Sequence, residues 1–162
     1  MRLAVSQRIY RLDRVIAPRP VHGFLRACDP NSAADFAVTA RWFEAFNRDV
    51  GEDEALPDPA RVLGRPGQGL FFWEHQRPVS MAGFSGATRN GIRIGRVYTP
   101  PELRRQGYAS ACVAALSQRL LDEGRKFCFL YTDLANPTSN RIYQEIGYRP
   151  VCDAVVVKFE NP

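Results

Sequence analysis

Apolar residues recur along this chain at two spacings, which predict helices and strands in alternation. One stripe with helical spacing predicts a helix over residues 33–50, stopped by Gly51, and a second stripe predicts a helix that ends at Gly124. Asn136 followed by Pro137 predicts the N-cap and the first position of a third, shorter helix. The two stripes consist of Phe36, Ala40, Phe43, Phe46 and Val50, and of Ala109, Cys112, Val113, Leu116 and Leu120.

Short β-rich runs bounded by glycine, proline and asparagine predict strands around these helices. Asn90-Gly91 predicts a tight hairpin with a type I′ turn, and the continuously apolar run 127–132 is typical of a strand buried on both faces. Residues 51–69 are acidic and then rich in proline and glycine, which predicts a mobile connection with one short helix near residues 60–63. Hairpins combined with crossing helices make a mixed α/β sheet. The predicted strands are a run within residues 1–20 and Phe24–Cys28, Leu70–His75, Val79–Ala87, Ile92–Thr99, Phe127–Thr132 and Val151–Phe159.

The composition is that of one globular domain, with 162 residues of which 45% are hydrophobic and 24% charged. We assign residues 21–162 to this domain and residues 1–20 to an N-terminal extension or the remainder of a longer N-terminal region. Since no run of about 18 apolar residues is present, we expect neither a membrane span nor a membrane partner. The chain also lacks an apolar signal core near its start, so we predict a cytoplasmic protein.

The four cysteines are scattered along the chain and form no C-x-x-C pair. Cys112 and Cys128 lie inside apolar runs, which predicts buried, reduced thiols in a cytosolic protein. The cysteines and the two histidines have no zinc-ligand spacing, so no metal is expected.

The chain is basic, with 22 Lys and Arg against 17 Asp and Glu and a net charge of +5. Such a balance suits an anionic ligand such as a polyphosphate, and it would also suit nucleic acid. Because the charges are dispersed rather than blocked, we favour the small anion and do not expect nucleic acid as a partner.

The loop over residues 104–109 is the best candidate for an anion site. It connects the strand predicted at 92–99 to the second helix, and it carries one glycine and the pair Arg104-Arg105. The free N–H groups and the dipole at the start of a helix favour negative charge, and arginines add to this. A solvated basic pair without a ligand is the alternative, and we expect only one of the two arginines to contact a phosphate.

Three segments, in this order, resemble the GNAT N-acetyltransferase superfamily over about residues 23–159. Residues 104–109 (R-R-Q-G-Y-A) fit the family's pyrophosphate loop, Q/R-x-x-G-x-G/A, and residues 97–102 look like the strand end before it. Residues 136–148 carry N-P-T-S-N-R-I-Y and then Gly-Tyr, similar to predicted acetyltransferases with an N-P-T-S-N-x-I-Y segment. The resemblance implies the GNAT acyl-CoA N-acyltransferase fold, a mostly antiparallel central sheet flanked by helices, with acetyl-CoA as co-substrate.

The resemblance also implies roles for individual residues. Tyr143 would donate a proton to the departing CoA thiolate, whereas its alternative role is a core tyrosine beside Ile142 and Tyr148. Backbone N–H groups of the loop would bind the pyrophosphate, and the strand end would pair with the pantetheine amides and polarise the thioester carbonyl. By this resemblance the co-substrate site consists of Val97, Tyr98, Thr99, Arg104, Arg105, Gln106, Gly107, Tyr108, Ala109, Asn136 and Ser139.

The residue that takes the proton from the acceptor ammonium is left open among Glu74, His75, Glu102 and a water relayed through backbone carbonyls. We predict an acetyl-CoA-dependent N-acetyltransferase that acts on a primary amine of a small molecule or peptide by direct attack in a ternary complex. The alternative is a non-catalytic acetyl-CoA-binding module for regulation or assembly. A nucleic-acid binder is a third, weaker hypothesis. A homodimer is one option for the assembly.

Overall fold

A mixed sheet of seven strands forms the centre of the part of the chain that the structure describes. The computed structural model describes residues 2–49 and 56–159. The strands lie in the order β2-β3-β4-β5-β6-β1-β7, and every neighbouring pair is antiparallel except β5 and β6. The predicted mixed α/β sheet, mostly antiparallel, is therefore confirmed. The strands are β1 (Arg2–Leu12), β2 (Phe24–Ala27), β3 (Gly69–His75), β4 (Arg77–Ser85), β5 (Gly91–Tyr98), β6 (Phe127–Asp133) and β7 (Arg149–Phe159).

The first strand lies inside the sheet, between β6 and β7. Tyr10 stands opposite Leu130 on one side and opposite Pro150 on the other. Tyr10 and Leu12 are fully buried, so this strand contributes directly to the core. The strand predicted within residues 1–20 is confirmed, although it ends before Val15. The domain boundary at residue 20 stays a prediction.

Three helices cover the sheet: α1 (Ala33–Asp49), α2 (Tyr108–Asp122) and α3 (Pro137–Glu145). The buried side of α2 and the end of α3 pack with Tyr10 and Leu12 in one cluster, on one face of the sheet. Trp42 and Phe43 of α1 pack in a second cluster with Phe72 and Met81, on the opposite face.

The face predicted for α1 is confirmed at Phe43 and Phe46 and wrong at its first residue, Phe36. Phe36 is 39% exposed, whereas Asp35 and Thr39 are buried. Asp35 is buried because Arg26 of β2 pairs with it at 2.7 Å, an interaction that periodicity alone does not reveal. Val50 and Gly51, predicted as the last face residue and the stop, lie outside the described residues.

Two further expectations about the strands were wrong. The predicted type I′ turn at Asn90-Gly91 is absent, because neither residue has the positive φ that this turn requires. In this connection Gly86 has a positive φ, +59°. Gly91 is the first residue of β5 and packs against the ring of Phe127. β6 is not buried on both faces, because buried and partly exposed residues alternate along it. The hairpin between β4 and β5 is nevertheless present, and it delivers the chain to the candidate loop.

The connections are short where the structure describes them. A 3-10 turn at Pro59–Arg61 stands where a short helix was expected, and a second turn at Pro101–Leu103 precedes α2.

Cys28, Cys112 and Cys128 are buried free thiols, as predicted for two of them, and Cys152 is exposed. Within the described ranges, no helix has the length and apolar character that a membrane crossing requires.

Candidate active site

β5 and β6 separate after a short parallel pairing. The pairing covers Gly91–Arg93 with Phe127–Phe129, although β5 continues to Tyr98 and β6 to Asp133. A β-bulge bends β5 at this point: two residues, Arg96 and Val97, stand opposite the single residue Ala82. Arg96 has φ +52°. Beyond Arg93 and Phe129 the two parallel strands continue without pairing to each other, and we call the gap between their carboxyl ends the cleft.

The N-terminus of α2 stands at the end of β5, beside this cleft. Gly107 is the N-cap, with φ +85°, and no side chain caps this end. The first bond of the helix runs from Ala111 N to Gly107 O, so the N–H groups before Ala111 have no acceptor within the helix. Gln106 is exposed and Tyr108 and Ala109 are partly exposed. Free N–H groups and the helix dipole make this end a site for an anion.

The two arginines of the loop behave differently. Arg104 Nε donates to the carbonyl oxygen of Thr99 at 2.8 Å, and its Nη2 lies 3.7 Å from a carboxylate oxygen of Asp49. Arg104 thus ties the loop back to β5 and to α1. Arg105 has φ +64°, is exposed, and makes no hydrogen bond or ion pair with any other residue of the described ranges. Arg105 is the member of the pair that is free to meet a phosphate.

A third arginine approaches the loop from the connection between β1 and β2, and sequence reasoning missed it. Arg19 Nη2 lies 3.5 Å from the point that a Cβ on Gly107 would occupy, and Val21 lies 3.0 Å from that point. Trp73 Nε1 donates to the carbonyl oxygen of His22 at 3.0 Å and holds this segment in place. The only sequence signal is that prolines on both sides of Arg19 favour an extended backbone.

The start of α3 lies beyond the end of β6. Asn136 is its N-cap and accepts a hydrogen bond from Ser139 N at 3.2 Å, with Pro137 at the first position, as predicted. Asn136 is exposed and Ser139 is half-buried. Both polar side chains therefore reach the surface at the start of α3.

Asn140 fastens α3 to the sheet, a role that sequence reasoning missed. Its Oδ1 accepts hydrogen bonds from Tyr10 OH at 2.8 Å and from Thr132 Oγ1 at 2.6 Å. Its Nδ2 donates to the carbonyl oxygens of Asp133 at 3.1 Å and Asn136 at 2.7 Å. All the hydrogen-bonding capacity of this amide is used, so the helix has one fixed position on β6 and β1.

Tyr143 follows Asn140 by about one turn and packs against the same core cluster as Val97 of β5. Its ring meets that of Tyr148 edge to face at 6.0 Å, so part of the expected core role is present. Its hydroxyl makes no hydrogen bond with the other residues that the structure describes. Burial raises the pKa of Tyr143 to about 12, so the hydroxyl carries its proton at neutral pH.

The three candidate bases lie in three different environments. Glu74 accepts from Arg26 Nε at 2.8 Å, and Arg26 also binds Asp35, so Glu74 belongs to an ion-pair network. The His75 ring stacks on His22 at 5.6 Å and lies 6.5 Å from Tyr108, beside the start of α2. Glu102 is exposed and lines an open pocket on the α1 face.

The remaining predicted residues divide between the two faces at the end of β5. Val97 packs in the cluster beneath α2 and α3, whereas Tyr98 packs in the cluster beneath α1. The Thr99 hydroxyl is buried, 2.8 Å from Ser80 Oγ. The carbonyl oxygens of Tyr98 and Thr99 accept from Ser80 Oγ at 3.2 Å and from Arg104 Nε at 2.8 Å, so these two main-chain acceptors are already used within the protein.

The model of the Acetyltransferase (GNAT) family matches residues 36–148, which is more than half of the chain. The chain belongs to the GNAT acetyltransferase family. The matched range includes most of α1, the β5–α2 loop and all of α3. A search of curated proteins finds no significant match.

Solved GNAT structures share the fold at low sequence identity. An acetyltransferase from the GNAT family of Colwellia psychrerythraea is 15% identical with a TM-score of 0.70, and the match covers 97% of this chain and 56% of that one. A GCN5-related N-acetyltransferase from Kribbella flavida is 20% identical with a TM-score of 0.67, covering 96% and 58%. The chain therefore spans less than two thirds of the length of these two structures.

A shorter GNAT structure matches more completely along its own length. An aminoglycoside acetyltransferase from an uncultured soil metagenomic sample is 16% identical with a TM-score of 0.61. The match covers 75% of this chain and 84% of that one. At such identities the similarity establishes the fold.

Proposed function

We propose that this chain transfers the acetyl group of acetyl-CoA to a primary amine of a small molecule or peptide, by direct attack in a ternary complex. The observation that carries the proposal is the uncapped start of α2 beside the cleft between β5 and β6, with two exposed arginines near it. The N–H groups of residues 106–109 bind the pyrophosphate, because they combine free donors with the positive end of the helix. Arg105 and Arg19 add mobile positive charge, and Arg104 holds the loop in shape.

The pantetheine arm lies along the end of β5, over Val97–Thr99. A strand that has left its parallel neighbour has unpaired backbone groups on that side, and an extended amide chain can pair with them. Asn136 and Ser139 contact the arm from the start of α3, and a backbone N–H of β5 polarises the thioester carbonyl. This places the thioester beside the bulge of β5.

The chemistry starts when a base takes a proton from the acceptor ammonium. The amine nitrogen attacks the thioester carbon, and the tetrahedral intermediate collapses with cleavage of the C–S bond. Tyr143 stands on α3 with an unpaired, protonated hydroxyl, which supports its role as donor to the departing sulfur. Because its pKa of about 12 lies above the ~8.5 typical of a thiol, the hydroxyl stabilises the thiolate as a hydrogen-bond donor more readily than by complete proton transfer.

Calorimetric titration with acetyl-CoA, followed by thiol-release assays over an amine panel, tests the proposal. Tyr143→Phe should leave acetyl-CoA affinity unchanged and lower turnover by at least about tenfold, since it removes only the donated hydrogen bond. Tyr131→Phe is the matched control, because it removes an exposed hydroxyl from the opposite face of β6.

The outcomes separate the two hypotheses. Absence of acetyl-CoA binding would contradict both the enzyme and the non-catalytic module. Binding without thiol release for any amine favours the non-catalytic module. Unchanged turnover in Tyr143→Phe would remove this residue from the mechanism and leave the rest of the proposal standing.

A further inference from the structure

An open pocket of about 420 Å³ lies on the face of the sheet that α1 covers, and its lining is separate from the cleft between β5 and β6. It is bounded by the middle of α1, the start of β4 and the segment that follows β5. Arg41, Arg77 and Glu102 line it, together with the rings of Trp42 and Tyr98. None of these five residues belongs to the proposed pyrophosphate or thiolate contacts through its side chain.

The three ionisable side chains of this pocket are unpaired. Arg41, Arg77 and Glu102 are exposed, and none makes a side-chain hydrogen bond or ion pair within residues 2–49 and 56–159. Other charged residues nearby are paired: Arg26 binds Asp35, and Arg104 binds the Thr99 carbonyl. Two guanidinium groups and one carboxylate around a single concavity match a ligand that carries one carboxylate and one ammonium.

The rest of the pocket lining is mostly apolar. Trp42 is 5% exposed and Tyr98 is 8% exposed, and their rings lie 6.0 Å apart. Prolines 78, 100 and 101 and Leu103 complete the wall. Such a surface suits an apolar side chain and would gain little from a second polar group.

The pocket lies on the other side of β5 from the donor. Tyr98, which lines the pocket, stands between Val97 and Thr99, the strand end proposed to carry pantetheine. Val97 packs beneath α2 and α3, whereas Tyr98 packs beneath α1. Donor and acceptor would thus meet at one strand end from opposite faces of the sheet.

We propose that this pocket binds the acceptor, and that the acceptor is an apolar amino acid. This rests on the function proposed above. Arg41 and Arg77 bind the carboxylate, Trp42 and Tyr98 receive the apolar side chain, and Glu102 faces the ammonium. Glu102 takes one proton from the ammonium, the free amine attacks the thioester carbon, and the tetrahedral intermediate collapses with cleavage of the C–S bond. The nitrogen releases its second proton to water, and the CoA thiolate takes up, through water, the proton that Glu102 had accepted. The products are the N-acetyl amino acid, CoA thiol and one proton.

Matched amines test the carboxylate contact directly. Phenylalanine, phenylalaninamide and 2-phenylethylamine share a ring and a primary amine, and only the first carries a carboxylate. We expect kcat/KM for phenylalanine to exceed that for the other two by at least about tenfold, as for a charge-assisted contact. The double variant R41Q/R77Q should reduce this preference to within about threefold, while acetyl-CoA affinity stays unchanged. Arg65→Gln, an exposed arginine outside the pocket lining, is the control and should keep the preference.

Direct binding separates this inference from the proposed function. Phenylalanine is titrated calorimetrically into the protein without acetyl-CoA, with leucine as a second apolar amino acid. Binding that R41Q/R77Q abolishes supports the pocket even if no turnover is found. Equal activity on phenylalanine and its amide, or amino-acid binding that the double variant leaves intact, overturns the inference. Absence of binding by both amino acids, in a protein that acetylates other amines, overturns it as well.

Discussion

Replacing Asn140 by alanine should loosen α3, because this one side chain fastens the helix to two strands. The substitution removes four hydrogen bonds: two accepted from Tyr10 and Thr132, and two donated to main-chain oxygens. Tyr10 is fully buried and Thr132 is 5% exposed, so water compensates their hydroxyls poorly. Tyr10 keeps one partner, the amide of Gln144 at 3.2 Å, and Thr132 keeps none at its hydroxyl within the described ranges.

The magnitude follows from these contacts. A typical hydrogen bond contributes about 1 kcal/mol net, and a buried group left without a partner costs about 1–3 kcal/mol. The two bonds that the amide nitrogen donates are exposed to solvent and contribute less than the two buried ones. The loss of unfolding free energy should therefore be about 3 kcal/mol, a large part of the stability of a domain of this size. Turnover should fall with it, because Tyr143 lies one turn further along the same helix.

Urea unfolding at neutral pH measures the effect. The midpoint for Asn140→Ala should fall without a change in the slope that reports the surface exposed on unfolding. Gln144→Ala is the control, since it removes a single longer bond to the same Tyr10 hydroxyl from an exposed residue. It should cost under about 1 kcal/mol. If the two variants are equally stable, Asn140 does not fasten the helix and the reasoning is refuted.

Two further predictions concern the donor site and the acid stability. Arg19→Gln should weaken acetyl-CoA binding by about three- to tenfold in calorimetry, because the pyrophosphate loses a charge-assisted contact. The loss should be equal for dephospho-acetyl-CoA, which keeps the pyrophosphate. Arg14→Gln, at an exposed arginine of the same connection, is the control, and an equal loss in that variant would exclude Arg19 from the site. The hydrogen bond from Arg26 lowers the pKa of Asp35 in the folded protein below its usual 3.8. The ionised Asp35 therefore stabilises the fold fully above pH 3.8, and this stabilisation is lost as the pH falls through the lower pKa of the folded state. Urea unfolding from about pH 2 to 6 should therefore show a weaker acid loss in Asp35→Asn, and an unchanged loss would contradict this.

Local patterns predicted the parts of the fold that local physics determines. The α2 stripe, the Asn136 cap and the strand runs each depend on residues within a few positions of one another, and all are present. The same holds for the loop at residues 104–109, which connects a strand to the start of a helix as its glycine and its position suggested. A strand, a loop and a helix start are enough to predict where an anion would bind.

Contacts between distant segments decided what the local patterns could not. The place of β1 between β6 and β7 depends on pairings across more than 100 residues, and this strand carries Tyr10 to Asn140. The burial of Asp35 in place of Phe36 depends on Arg26, on a separate strand. Periodicity predicts which side of a helix is apolar. It does not predict that a carboxylate such as Asp35 is buried by an ion pair with a residue of another strand.

The arginines around the donor site show this division at a single loop. Arg104 and Arg105 are adjacent and chemically identical, so the sequence predicts that one of them contacts a phosphate and does not say which one. The fold separates them: the Thr99 carbonyl accepts from Arg104, and the positive φ of Arg105 leaves its side chain exposed and unpaired by any other described residue. Arg19, 85 or more positions earlier, reaches the same helix start because β1 returns the chain to α2 before β2 begins. The charge beside an anion site is thus a property of the sheet order as much as of the motif, and a charge count within the motif alone would treat Arg104 and Arg105 alike and omit Arg19.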